Sequence, residues 1–303
     1  MRAIRFDGYG GPEVLHLDEA EPPAAGPGKV RVRVKASGVN PFDGKVRSGA
    51  MQAMIKRRLP SIPGFEIAGV VDAVGEDVTG FAPGDAVLGR STTGSYAEYA
   101  IAGEIVAKPE GLAWEAAAAL PVAVGTAQRI LQELKVGSGE TLLVHGGAGA
   151  VGTMAVQLAV ARGAKVVATA SAGNQDYLAS LGATPTTYGD GLVERVRALA
   201  PEGVDAVFDV AGKGALPASI ELRGGIHRIV TIADPAAQEL GVPFLSATPN
   251  ANSAVELAEA AGQAAAGKLV VTLGAVLPLA DAAEAHRIID GGHVRGKVVL
   301  TVD

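Results

Sequence analysis

Glycines 147, 149 and 152 form a G-x-G-x-x-G pattern, a spacing that can hold a phosphate chain. Gly147 permits a tight turn, Gly149 lets the backbone approach a pyrophosphate, and Gly152 lets a helix and a strand pack closely. In a chain with 41 glycines the pattern alone carries little, so its surroundings decide. Residues 141–145 read as an apolar strand, 146–152 as the turn, the stretch to about Arg162 as a helix, and 165–170 as a second strand. Gly163 is placed to stop the helix. A helix beginning at such a turn offers free N–H groups and a positive dipole end to an anion. The reading is a βαβ unit that binds a dinucleotide, against a bare tight turn as the plain alternative.

The residues after the second strand bear on which dinucleotide. An NAD site usually has a carboxylate there, about 20 residues past the first glycine, on the ribose 2′-hydroxyl. Here the place holds Ala170-Ser171-Ala172, and Asp176 lies too far along the next helix. A carboxylate would repel a 2′-phosphate, so its absence admits NADPH. No Arg or Lys directly follows the strand.

Composition removes several other chemistries. The chain has 303 residues, enough for about two domains, with 48% hydrophobic and 19% charged residues. It has no cysteine, which excludes disulfides, thiolate zinc ligands and a cysteine nucleophile. His16, His145, His227, His286 and His293 are scattered without ligand spacing, so no metal site is expected. A formal net charge of −6 argues against nucleic-acid and acidic-membrane partners. The short run Lys56-Arg57-Arg58 reads as a solvated loop or helix end. No apolar stretch has signal-peptide or membrane-spanning length, and a cytoplasmic protein is expected.

The elements that must position these residues follow from periodicity. Residues 30–35 alternate valine with cations, which makes a half-buried strand. Further strands are expected at 14–17, 67–74, 85–88 and 97–101, between Pro/Gly turns, and imply a small barrel-like or sandwich-like domain. Helices are expected at 114–120 and 123–134. Beyond the glycine turn, strands at 186–188, 206–210, 228–232 and, as a sixth at the edge, 243–246 alternate with helices at 174–181 and 192–200. A helix over 251–266 follows. This alternation predicts a doubly wound parallel sheet. The last stretch, with strands at 270–273 and 298–302 around a helix at 279–290, is expected to return to the first domain. Domains are thus expected at 1–118 with 268–303, and at 119–267. The run 262–268 has P-loop spacing, but it lacks the following hydroxyl and follows a helix, so Gly267 reads as a helix stop.

Several ordered motifs are similar to those of the medium-chain dehydrogenase/reductase superfamily, and within it the zinc-free, zeta-crystallin-like quinone oxidoreductases. They are Gly10-Gly11-Pro12-Glu13-Val14-Leu15, Gly38-Val39-Asn40-Pro41-Phe42-Asp43, Pro63-Gly64-Phe65-Glu66, Gly94-Ser95-Tyr96-Ala97-Glu98-Tyr99, Gly125-Thr126-Ala127, the glycine turn, Ala285-His286-Arg287 and Gly296-Lys297-Val298-Val299-Leu300. The resemblance covers nearly the whole chain. It implies a Rossmann doubly wound parallel sheet inserted into a GroES-like, β-rich, barrel-like catalytic domain. Zinc-dependent relatives carry Cys where this chain has Asn40 and Gly-His-Glu where it has Gly64-Phe65-Glu66. Without those ligands a zinc-bound alkoxide cannot form, and hydride transfer alone remains.

The resemblance implies NADPH-dependent reduction of a quinone in a dry cleft between domains, with an enoyl or 2-alkenal reductase as the close alternative and a non-catalytic NADPH-binding protein as the distant one. On the substrate side it places Asn40 beside the nicotinamide as an amide donor to a developing oxyanion; the plain reading of Asn40 is a turn former before Pro41. Asp43 either bonds nearby backbone or touches substrate. Thr126 resembles a threonine near the nicotinamide carboxamide, or is an interior hydroxyl on its own helix. Some relatives carry a Tyr shortly after the Asn motif, where this chain has Ser48-Gly49-Ala50-Met51, which tells against a tyrosine-based proton donor and suggests a different acceptor shape.

For the cofactor, relatives bind the 2′-phosphate with a Lys at the place of Asn174 and a Tyr matching Tyr188. Ser171, Asn174 and Tyr188 can together supply neutral hydrogen bonds, though Ser171 and Asn174 equally suit helix caps. Ala150 and Val151 at the turn, Ile232 and Ala233 after the fifth strand, and Phe244 and Ser246 near the sheet edge complete the implied set. His145 reads as a core histidine. Lys297 reads as part of a family-like Gly-Lys pair or as an exposed strand end. The resemblance also implies a homodimer through the apolar edge segment 242–245.

Overall fold

Residue types set the course of the first strands. The valines of residues 30–34 face inward and the cations between them outward, but the strand then runs on through four fully buried residues to Val39, directly before Asn40. The computed structural model describes residues 1–245 and 253–303. They fall into two units, 1–122 with 254–303, and 123–253.

In the first unit lie β1 (Arg2–Arg5), β2 (His16–Glu19), β3 (Val30–Val39), β4 (Glu66–Val74), β5 (Ala86–Ser91) and β6 (Tyr99–Ala107). The second unit contributes β7 (Thr141–His145), β8 (Lys165–Ala170), β9 (Thr184–Thr187), β10 (Ala206–Asp209) and β11 (Ile229–Thr231). The chain then supplies β12 (Leu273–Pro278) and β13 (Lys297–Thr301) to the first unit.

A six-stranded sheet of order β12-β13-β3-β4-β5-β6 organises the first unit, and an added β3–β6 pairing closes its last four strands into a ring. That closure makes the barrel and removes one pair of sheet edges. β3 reaches both neighbours on one side: residues 31–33 pair with β6, and residues 36–39 pair antiparallel with β13. The core inside holds Phe6, Ile67, Val87, Tyr96, Val298 and Leu300, all essentially without exposure. The strand expected at 270–273 forms later, as β12, where Leu273, Ala275 and Leu277 are half-buried between exposed neighbours. That alternation is the period of a sheet with one solvated face.

The second unit is an all-parallel sheet of order β11-β10-β7-β8-β9. Its central β7 is buried along its whole length, as a parallel strand covered by helices on both faces must be. The expected sixth strand reduces to one parallel bridge, Thr231 to Phe244, with hydrogen bonds on either side. The helix after β7 is Ala150–Ala161, and Gly163 at φ +81 ends it. Gly267, at φ +69, likewise follows the helix Ser253–Ala265, so the P-loop-like run is a helix terminus. The helix Leu216–Arg223, absent from the sequence reading, fills the connection between β10 and β11.

Candidate functional site

The glycine turn carries the geometry its spacing promises. A Cβ on Gly152 would lie 2.2 Å from the Gly146 carbonyl oxygen and 2.7 Å from Gly147 Cα, so only glycine lets the helix start this close to the strand end. A Cβ on Gly149 would meet nothing nearer than 3.6 Å, which leaves that side open to a ligand. Gly147 donates its N–H to Thr169 O at 2.9 Å, tying the turn to β8. Gly149 caps the 12-residue helix without a side-chain hydrogen bond. Ala150 and Val151, both half-buried, stand in the first turn of that helix, where backbone N–H groups lack intrahelical partners and suit an anion. These residues fit a dinucleotide.

Of the other residues expected on the cofactor side, Ser171, Tyr188 and Ile232 directly follow the carboxyl ends of β8, β9 and β11. Ser171 follows β8, and Asn174 Nδ2 donates to Ser171 Oγ at 3.0 Å, so the two polar side chains are joined. Thr187 pairs with Ala170 in the β8–β9 register, which brings Tyr188, 57% exposed, beside Ser171 in sequence order across the sheet. Arg195 donates to the carbonyl oxygens of Asp190 at 2.6 Å and Thr187 at 3.0 Å and so fastens the loop that carries Tyr188. Ile232 and Ala233 leave β11, their amides bonded to Asp209 O and Thr231 Oγ1. Phe244 is 43% exposed at the sheet edge. Ser246 lies outside the described residues. Thr126 is buried on the helix Pro121–Glu133.

His145 is a satisfied core histidine. Its Nε2 lies 3.0 Å from Ser219 Oγ, and burial pushes its pKa down to about 4. It is neutral at pH 7 and has no acid to offer.

In the first unit the sequence-expected Asn40 and Asp43 come together inside a larger polar cluster that sequence reasoning left without a role. Asn40 ends β3 and caps the helix Pro41–Arg47, and its backbone N–H donates to Asp43 Oδ2 at 2.9 Å. Its side chain is held at both ends: Nδ2 donates to Glu66 Oε2 at 2.7 Å, and Oδ1 accepts from Lys297 Nζ at 2.7 Å. Lys297 also forms a short ion pair with Glu66. The other Glu66 oxygen accepts the Val122 N–H at 2.7 Å. Lys297 is only 3% exposed, which corrects its reading as an exposed strand end: the β13–β3 ladder places it beside Asn40, in the interior.

A second chain of hydrogen bonds ends on Asp43. Arg47 Nη1 lies 3.0 Å from His286 Nδ1, and a guanidinium only donates, so the imidazole proton sits on Nε2. Nε2–H then donates to Tyr96 Oη at 3.2 Å, and the Tyr96 hydroxyl donates to Asp43 Oδ2 at 3.2 Å. This order needs a neutral imidazole, and burial together with the Arg47 charge holds the His286 pKa at about 4. Burial also drives the Asp43 carboxyl up to about 7, against the pull of the Asn40 N–H and Lys297. The Tyr96 phenol is raised well above its ordinary value by burial and by Asp43. Arg47 is anchored at its other end by Asp290, 2.9 Å away. Glu66, Tyr96, His286 and Lys297 each sit inside a motif of the sequence.

Among the described residues no group of three or more His, Asp or Glu side chains is placed to hold a metal ion. Nor is any described helix long and apolar enough to cross a membrane.

Residues 26–111 match the family model of the alcohol dehydrogenase GroES-like domain, and residues 181–300 that of the zinc-binding dehydrogenase domain. The human quinone oxidoreductase (Homo sapiens) is 32% identical, over 99% of this chain and 97% of its own length. The 2-methylene-furan-3-one reductase of Solanum lycopersicum is 37% identical, over 76% of this chain and 62% of its own. Among solved structures, the Escherichia coli quinone oxidoreductase complexed with NADPH superposes with a TM-score of 0.86 at 27% identity, covering 100% of both chains.

Proposed function

The chain belongs to the quinone oxidoreductase family of the medium-chain dehydrogenases/reductases, and we infer that it reduces a quinone, or a similar conjugated carbonyl compound, with NADPH. The observation that carries this reading is the uncapped helix start at the glycine turn. When bound, NADPH supplies a hydride. The N–H groups at Ala150, Val151 and Gly152 hold its diphosphate, and the turn glycines Gly147 and Gly149 admit it. Ser171, Asn174 and Tyr188 take the 2′-phosphate; Thr126, Ile232, Ala233, Phe244 and Ser246 complete the cofactor side. No carboxylate ends β8, so nothing there opposes the phosphate charge.

On the acceptor side Asn40 is the donor. Its amide nitrogen carries two N–H groups, and Glu66 uses one of them. The second serves the acceptor's oxygen as negative charge develops there. Asp43 acts through Asn40, holding its backbone in place. Water supplies the closing proton. The reaction proceeds without zinc: the chain has no cysteine, and Asn40 and Phe65 stand where zinc relatives carry ligands. A cytoplasmic location belongs to the same proposal, and cell fractionation checks it.

A second reading has one observation in its favour. The Solanum lycopersicum relative is by name a reductase of a methylene-furanone, an enone. The test of both is oxidation of NADPH and NADH, at matched concentrations, with 1,4-naphthoquinone and with an α,β-unsaturated ketone. Rapid NADPH oxidation with the quinone is the expected outcome. Turnover with the enone alone would transfer the assignment to double-bond reduction, and consumption of NADH as fast as NADPH would overturn the 2′-phosphate site.

A further inference from the structure

Lys297 has no part in the hydride transfer derived above, yet it is buried against the group that does. An amide is shaped alike at its two ends, so an asparagine can present either oxygen or nitrogen to a given neighbour. Here both neighbours forbid one choice. An ammonium only donates and a carboxylate only accepts. Asn40 Oδ1 must face Lys297, and Nδ2 must face Glu66. The fit is close: a Cβ on Gly38 would lie 2.9 Å from Lys297 Cε and 2.5 Å from Glu66 Oε2, so the glycine of β3 leaves the room that the pair fills.

We propose that Lys297 is a positioning residue for the reaction: it locks the Asn40 amide with nitrogen toward the acceptor and strengthens that N–H against the oxyanion. The strengthening is electronic. A cation bonded to the amide oxygen draws density from nitrogen, and hydrogen bonds in series polarise one another. In the step itself, the C–H bond of the bound dihydronicotinamide would break as its hydride passes to the electrophilic carbon of the acceptor, where a new C–H bond forms. The π-electron pair of the conjugated system moves to the carbonyl oxygen, which the Asn40 N–H stabilises, and a proton from water then completes the reduced product. The acceptor gains two electrons and NADPH loses them. The acceptor class is therefore one whose reduction places full negative charge on oxygen, as quinones and enones do.

This inference rests on the donor role of Asn40, and the experiment separates the two. Steady-state kinetics with NADPH and 1,4-naphthoquinone compare wild type, Asn40→Ala, Lys297→Met, Lys297→Arg and the double variant Lys297→Met/Glu66→Gln, with NADPH affinity measured by fluorescence titration. Removing one partner of a buried pair destabilises, whereas removing both charges relieves the penalty, so the double variant recovers the folding midpoint that Lys297→Met loses. We expect kcat to fall about 10-fold or more in Lys297→Met and to stay low in the double variant, with NADPH affinity within about twofold of wild type. Lys297→Arg, which keeps the charge, regains part of kcat. The Asn40 side-chain amide resonance moves upfield in Lys297→Met even without substrate. If the double variant recovers both stability and kcat, Lys297 is structural only and the proposal fails. A normal kcat in Lys297→Met beside a depressed one in Asn40→Ala also sinks it while sparing Asn40. Full activity in Asn40→Ala removes both.

Discussion

Asp43 is a carboxyl group held in the interior by two donors, the Asn40 N–H and the Tyr96 hydroxyl, and desolvation outweighs them. Its pKa is near 3.8 when solvated and about 7 in the fold, so between those values the folded chain holds a proton that the unfolded chain has lost. Its contribution to stability therefore declines as pH rises from about 4 to about 7. His286 and His145 oppose it: folded, they stay neutral down to about 4, while unfolded they take up protons below 6.5, so stability rises with pH through that window. In Asp43→Asn the rising slope stands alone. Chemical denaturation at a series of pH values between 4 and 8 should show a steeper rise below 6.5 in the variant than in wild type, and superimposable curves would refute the assignment. That Asn40 and Asp43 lie together was legible in the sequence, because they stand three residues apart in one six-residue motif. Their partners were not: Lys297 lies 257 residues from Asn40 and His286 239 from Arg47, distances that no local pattern spans.

Elements were read most securely where packing and periodicity agree. β7, the glycine turn, its helix and β8 fall within a residue or two of the sequence expectation, because the tight approach at Gly152 admits no other arrangement. Replacing Gly152 with Ala forces a Cβ against backbone atoms that cannot rotate away. The cost should be about 1–3 kcal/mol of stability, with a larger proportional loss of NADPH affinity as the turn shifts. Thermal melts and NADPH titration check it, and an unperturbed NADPH affinity would contradict the role given to the turn. Where the reading missed, tertiary pairing decided. β3 was expected to end at residue 35 but continues to Val39, because residues 36–39 find a partner in β13. The start of β2, expected at Val14, shifts to His16, where pairing with β1 begins, and Pro12–Val14 forms a 3-10 turn instead.

At the scale of the whole molecule, we propose a homodimer. The edge of the parallel sheet carries the segment around Phe244, which is 43% exposed although it extends the sheet beside Thr231. An apolar, incompletely paired edge is the kind of surface that a second copy covers. Light scattering should return twice the chain mass of 30.4 kDa, falling to the single mass in Phe244→Asp; a single mass for wild type would refute the pairing.

The β13–β3 ladder also imposes an order in time. Asn40 and Glu66 leave the ribosome early, but the lysine that neutralises their surroundings is 257 residues behind Asn40. At about 5–20 residues per second that gap lasts roughly 13–50 s. Residues 123–253 are continuous and complete in between. Residues 123–253 can thus fold on the nascent chain while the first-made barrel strands wait, with Glu66 still lacking the cation that it meets in the finished fold. Synthesis runs from the amino end, yet the cluster around Asn40 is among the last things it finishes.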